Sequence, residues 1–136
     1  MTNRKRSAHA VLIVEDDELL KMLTVDMVQR AGFEVIQAEN ADEAMTILKA
    51  RSDIALVLTD INMPGSMDGF RLAHAVSDRW PRIKIIVTSS QVPKGALPTG
   101  SRFFVKPYRG EAMISEIHSL IGPRIGTSDI VSHAHL

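Results

Sequence analysis

Five polar residues of this 136-residue chain each lie at the end of a short apolar run. Glu15 and Asp16 follow AVLIV, residues 10–14. Asp60 closes IALVLTD, residues 54–60. Thr88 follows IKIIV, residues 83–87, and Lys106 follows RFFV, residues 102–105. A carboxylate where a buried strand leaves the core cannot pack and must be paired or solvated. Brought together, Glu15, Asp16 and Asp60 crowd three negative charges. Two such charges about 4 Å apart repel by roughly 4 kcal/mol at an effective dielectric near 20. The cluster must take up protons or bind a cation. Oxygen donors without His or Cys favour Mg2+, with Mn2+ as a substitute. Lys106 adds a fixed positive charge and Thr88 a hydroxyl. That equipment suits phosphoryl transfer onto Asp60 as an aspartyl-phosphate, with catalysis by positioning and charge neutralisation.

The elements that must position these residues follow from periodicity. Ala10–Val14 reads as a strand. Leu20, Leu23 and Met27 recur at helical spacing, which predicts a helix from Glu18 to about Ala31, capped by Asp17 and stopped by Gly32. Phe33–Ala38 is a second strand. Asn40, with Glu43 three residues on, starts a helix ending near Arg51. Ile54–Asp60, bounded by the turn residues Asn62, Pro64 and Gly65, reads as a strand buried on both faces. Asp68 caps a third helix, with Leu72, Ala73, Val76 and Trp80 inward, ended by Pro81. Ile83–Val87 is a fourth strand. Residues 90–100 hold Pro93, Gly95, Pro98 and Gly100, so any helix there is short or irregular. Arg102–Val105 is a fifth strand, and Arg109–Ile121 a closing helix stopped by Gly122-Pro123. Strands alternating with helices predict an α/β fold, a parallel sheet covered on both faces. The site of such a sheet lies outside the carboxyl ends of its strands, where all five polar residues fall.

Composition bounds the alternatives. The length suits one domain, read as residues 10–122 with a flexible tail at 1–9 and a loose tail at 123–136. No cysteine is present, which excludes disulfides and thiolate metal sites. Sixteen basic and 16 acidic residues balance to zero; nothing in that balance argues for wholesale nucleic-acid or membrane binding, and neither is expected as a partner. Arg4, Lys5 and Arg6 read as a solvated terminus, and nothing after them resembles a signal peptide. A cytoplasmic protein is expected.

Glu15-Asp16, Asp60, Thr88 and Lys106-Pro107, with the turn MPGSMDG after Asp60, resemble the receiver domain of two-component response regulators over about Ala10 to Ile121. The resemblance implies a flavodoxin-like, doubly wound sheet of strand order 2-1-3-4-5. It implies Asp60 as phosphoacceptor, charged by a sensor histidine kinase or a histidine phosphotransfer protein. Asp16, Asp60 and the backbone carbonyl of Asn62 become Mg2+ ligands, with Glu15 acting through water. Thr88 and Lys106 contact the phosphoryl group, Phe103 takes the aromatic switch position, and the Lys106–Pro107 bond is cis. A monomer or weak dimer is expected, signalling to a further protein target by binding or onward transfer. The chain departs from the family pattern in three places: Ser66 lengthens the turn, Ser89 stands where a smaller residue is common, and the interval from Thr88 to Lys106 is short.

The bland readings assign Asp17 and Asp68 to capping, Trp80 and the methionines to the core, and His9, His74, His118, His133 and His135 to solvated positions. A pseudo-receiver binding proteins without phosphorylation should lack the acid pair, the acceptor or the lysine, and all are present. A flavodoxin-like FMN carrier needs a Ser/Thr- and Gly-rich loop after the first strand, where this chain has Glu-Asp-Asp. Haloacid-dehalogenase phosphatases need a second Asp two residues after the nucleophile, where this chain has Asn62.

Overall fold

The computed structural model describes residues 8–63 and 67–122. Arg4–Arg6, the turn residues Pro64, Gly65 and Ser66, the histidines His133 and His135, and the tail from 123 onward lie outside the described residues.

The chain runs β1 (Ala10–Val14), α1 (Glu18–Arg30), β2 (Glu34–Ala38), α2 (Ala41–Ala50), β3 (Ile54–Asp60), α3 (Gly69–Arg79), β4 (Lys84–Ser89), β5 (Arg102–Val105) and α4 (Gly110–Ile121). The five strands form one parallel sheet of order β2-β1-β3-β4-β5. β1 and β3 are buried along their whole length, as central strands covered on both faces must be. Alternation sends Leu12, Val14, Val57, Ile85 and Val87 to one face, where they meet Ala44 and Leu48 of α2 and Leu72 and Val76 of α3. Val11, Ile13, Leu56, Leu58 and Ile86 go to the other, against Val25 and Val28 of α1 and Met113 and Ile117 of α4. The doubly wound order that the resemblance implies is the one observed.

The helix caps follow their chemistry. The Asp17 carboxylate accepts from Leu20 N at 2.9 Å, Asn40 from Glu43 N at 2.8 Å and Asp68 from Arg71 N at 2.9 Å. Gly32, at φ 99°, supplies the left-handed turn that ends α1. No described helix is long and apolar enough to cross a membrane.

Several sequence expectations need correction. α1 turns Lys21, Val25 and Val28 inward, while Leu20 and Leu23 are exposed. Both rows have helical spacing, and Lys21 disguises the buried one: only 6% exposed, it pairs with Glu18 at 3.1 Å and Glu39 at 3.8 Å, burying its aliphatic stem with them. Met22 is likewise outside at 64% exposure, and Trp80 is half-buried at the core's edge rather than within it. β4 extends past Val87 to include Thr88 and Ser89. Between β4 and β5 the chain forms no helix at all, where a short or irregular one was allowed for. The three described histidines are engaged: His9 pairs with Glu34 at 2.8 Å, His74 Nε2 lies 2.8 Å from the Ala96 carbonyl, and His118 packs its ring on Phe33.

Candidate functional site

The sheet positions the site. Glu15 follows β1, and its N–H donates to the Ala38 carbonyl of the neighbouring strand end at 3.1 Å. Asp60 is the last residue of β3, in register with Thr88 of β4, and the Ile61 N–H donates to the Thr88 carbonyl at 2.9 Å. The Lys106 N–H donates to the Ser89 carbonyl at 2.8 Å, so β5 delivers Lys106 to the same edge. The Lys106–Pro107 peptide bond is cis. Glu15 with Asp16, Asp60, and Lys106, from three separate stretches of the chain, thereby reach one mouth. Carboxylate oxygens of Glu15, Asp16 and Asp60 all lie within 4.8 Å of one another. The Lys106 ammonium bridges two of them, 3.3 Å from Asp60 Oδ1 and 3.4 Å from Glu15 Oε1.

Burial sharpens the electrostatics. Glu15 and Asp60 are 7% and 8% exposed, whereas Asp16 faces solvent. Desolvation raises the pKa of Asp60; Lys106 pulls against it, and Asp16 adds to the rise. Desolvation likewise raises Glu15, opposed by the Asp17 N–H and by Lys106. For Lys106 desolvation works downward, but Glu15 and Asp60 together outweigh it and raise the ammonium. The cluster carries more negative than positive charge, so it favours a further cation. Its donors are hard oxygens with no His or Cys, the chemistry that suits Mg2+.

Not every predicted residue joins the cluster. Thr88 is buried and in register with Asp60, which puts both side chains on the α1/α4 face of the sheet. Phe103 pairs with Val87 and packs on the opposite face, the side of α2 and α3. The aromatic in register with Thr88 is Phe104. Asn62 is exposed, and its amide donates to Ser89 Oγ at 3.5 Å. Ser89 Oγ also accepts from Gln91 N at 3.2 Å, linking the turn after Asp60 to the segment after β4. Ser90 and Pro107 line a cleft of about 530 Å3 together with Glu15, Lys106, Leu20, Leu23 and Met27.

Two supporting residues escaped the sequence reading. A Cβ on Gly69 would overlap the carbonyl oxygen of Asp60, and the Gly69 N–H donates to the Ile61 carbonyl at 2.8 Å. Only glycine lets α3 start against the backbone of the acceptor; the one available signal was its place beside the cap Asp68. Thr59 is fully buried and donates its hydroxyl to the Asp60 carbonyl at 3.0 Å. A second group with metal-ligating side chains, His9, Glu34 and Asp53, lies at the other end of the sheet. Arg51 already occupies it, 2.7 Å from Asp53 and 3.4 Å from Glu34, and its hydrogen bond holds the Asp53 carboxyl below its usual range.

Comparison with known proteins identifies the fold and the family. Residues 11–118 match the response regulator receiver domain family. The chemotaxis protein CheY of Bacillus subtilis is 31% identical over 84% of this chain and 98% of its own length. The response regulator protein FleR of Pseudomonas aeruginosa is 30% identical over 79% of this chain, which spans only 23% of FleR. Among solved structures, response regulator TrrA of Thermotoga maritima in complex with Mg2+-BeF superposes with a TM-score of 0.75 at 23% identity, over 82% of this chain and 98% of that one. A receiver protein from Sinorhizobium medicae superposes with a TM-score of 0.76 at 24% identity, over 84% and 94%. The family match spans most of the chain and the sheet order is the expected one: the chain belongs to the receiver domain family of two-component response regulators.

Proposed function

We propose that this domain is a working phosphoacceptor, taking a phosphoryl group from a phosphohistidine onto Asp60. The observation that carries the reading is the Lys106 ammonium, held between Asp60 and Glu15 at the mouth of three converging carboxylates. In the transfer an Asp60 carboxylate oxygen forms the new P–O bond as the P–N bond of the donor imidazole breaks. Lys106 sits where negative charge accumulates on the incoming group, and Thr88 offers its hydroxyl from the adjacent strand. Asp16, Asp60 and the Asn62 carbonyl would hold Mg2+, with Glu15 through water; Mn2+ would fit the same donors. The bound metal supplies charge neutralisation. Phe103 is the candidate switch aromatic, on the face where residues 90–101 stand in place of a helix.

The donor surface lies beside the site. Leu19, Leu20, Met22 and Leu23 expose an apolar strip on α1, and the cleft that Leu20 and Leu23 line also reaches Glu15 and Lys106. A helical donor from a sensor histidine kinase or phosphotransfer protein can bury that strip while presenting its phosphohistidine to Asp60. Onward signalling passes by transfer or by binding a protein target, in the cytoplasm, without catalysis beyond gain and loss of the Asp60 phosphoryl group. The test is transfer from a phosphorylated histidine kinase. Native protein gains label and Asp60→Asn gains none. Leu23→Asp slows transfer from the kinase but leaves labelling by acetyl phosphate unchanged. Label on the Asp60→Asn protein would overturn the reading.

A further inference from the structure

The opposite end of the sheet carries a second concavity of reversed charge. A cleft of about 840 Å3 opens between the C-terminal ends of α2 and α3 and the starts of β3 and β4, within the size range of small-molecule sites. Four cations line it, Lys49, Arg51, Arg79 and Arg82, and no described lining residue is acidic. In a chain whose basic and acidic residues balance at 16 each, that is a concentration of one sign. Arg51 is engaged by Asp53 and Glu34. Among the described residues Lys49 and Arg82 have no ion-pair partner, and both are exposed. Trp80 forms part of the wall with the Arg79 guanidinium stacked 5.1 Å from its ring. A guanidinium on an indole makes a flat, polarisable platform, and Leu48, Ile54 and Ile83 give the same cleft an apolar lining. Sequence reading placed Trp80 in the core and saw no basic patch, because these cations come from two separate stretches, at the ends of α2 and α3.

We propose that this cleft binds a nucleoside phosphate. The base lies along the Arg79–Trp80 platform and the apolar lining, and the phosphates meet Lys49 and Arg82. The cleft is separated from Asp60 by the length of β3, about 20 Å for its seven residues, so its ligand does not enter the phosphoryl-transfer site.

The chain provides its own reporter, since Trp80 is its single tryptophan. The full-length protein is titrated in Mg2+-free buffer, which denies the acidic cluster a bridging metal. The arms are ATP, AMP, adenosine, GTP, GMP, guanosine and inorganic phosphate, followed by Trp80 emission and by calorimetry. The expected result is saturable binding of nucleotides with Kd below about 1 mM, and weakening of about tenfold for the free nucleosides and for inorganic phosphate. Arg82→Glu and Lys49→Glu, both at exposed positions, weaken nucleotide binding about tenfold or more while labelling of Asp60 by acetyl phosphate stays native. Asp60→Asn binds nucleotide normally, which separates this site from the phosphoacceptor reading. Three results would each overturn the proposal: no saturable response to any nucleotide, inorganic phosphate binding as tightly as the nucleotides, or charge-reversal variants that bind like the native chain.

Discussion

The mouth of the sheet and the segment from Ser90 to Ser101 lie side by side and are held in different ways. Asp60, Thr88 and Lys106 stand on or beside paired strands, so sheet register fixes them to one another. Residues 90–101 contain no helix or strand and rest on α3 through a few contacts. The His74 ring meets the Ala96 carbonyl and Phe70 lies against Gly95, while within the segment Ser101 donates its hydroxyl to the Pro98 carbonyl at 2.6 Å. The difference teaches that the acidic mouth and the segment beside it are built to different tolerances. The reactive groups cannot shift without breaking the sheet, whereas the neighbouring segment can be rebuilt without touching them. Ser89 joins the two, because its hydroxyl accepts from both Asn62 and Gln91.

If that contrast holds, substitutions on the two sides should differ in kind as well as size. Lys106→Ala should leave Mg2+ binding largely in place and abolish the phosphorylation-driven change in the spectrum of residues 90–101, read by NMR with and without acetyl phosphate. A normal response would remove Lys106 from the mechanism. Gly69→Ala forces a methyl group into the Asp60 carbonyl and should cost about 3 kcal/mol in urea denaturation. Gly95→Ala meets only the end of the Phe70 ring, 2.9 Å from an ideal Cβ. A side chain can swing where backbone cannot, so its cost should be about 1 kcal/mol, with labelling of Asp60 unchanged. Equal costs at the two glycines would break the contrast.

Proton linkage distinguishes the regions more gently. The folded-state pKa values of Asp60 and Glu15 lie above the reference values of 3.8 and 4.5. The native metal-free protein therefore binds more protons than the unfolded chain above those values, and its stability falls as pH rises through that window. Each group contributes at most about 1.4 kcal/mol per unit of pKa shift. Asp60→Asn should flatten the dependence, and Mg2+ affinity should weaken as pH falls through the same window, both measurable by thermal melts across pH. The smallest effect belongs to His74→Ala. It removes one hydrogen bond to the 90–101 segment, worth about 1 kcal/mol, and should speed amide exchange there while leaving exchange in β3 and β4 unchanged.

The same contrast explains what could be read from the sequence. The mouth was legible because buried parallel strands show as continuous apolar runs, and four of those runs, of β1, β3, β4 and β5, ended in or led straight into a polar or charged residue. The caps Asp17, Asn40 and Asp68 were legible because capping is local. α1 was misread because its buried row includes a lysine, whose partners Glu18 and Glu39 come from its own first turn and from the far end of β2. Gly69 and Thr59 were invisible as supports of Asp60 because their contacts are with backbone. The basic cleft was hidden because Lys49, Arg79 and Arg82 converge only when α2 and α3 end together.

The central claim is that Asp60 is the acceptor and the surrounding mouth is competent. The most direct measurement is intact-mass spectrometry of the native and Asp60→Asn proteins after incubation with acetyl phosphate and Mg2+, with and without chelator. One phosphoryl group on the native protein, lost with chelator and absent from the variant, is the predicted result. Equal labelling of both proteins, or a native protein that gains nothing, would contradict it.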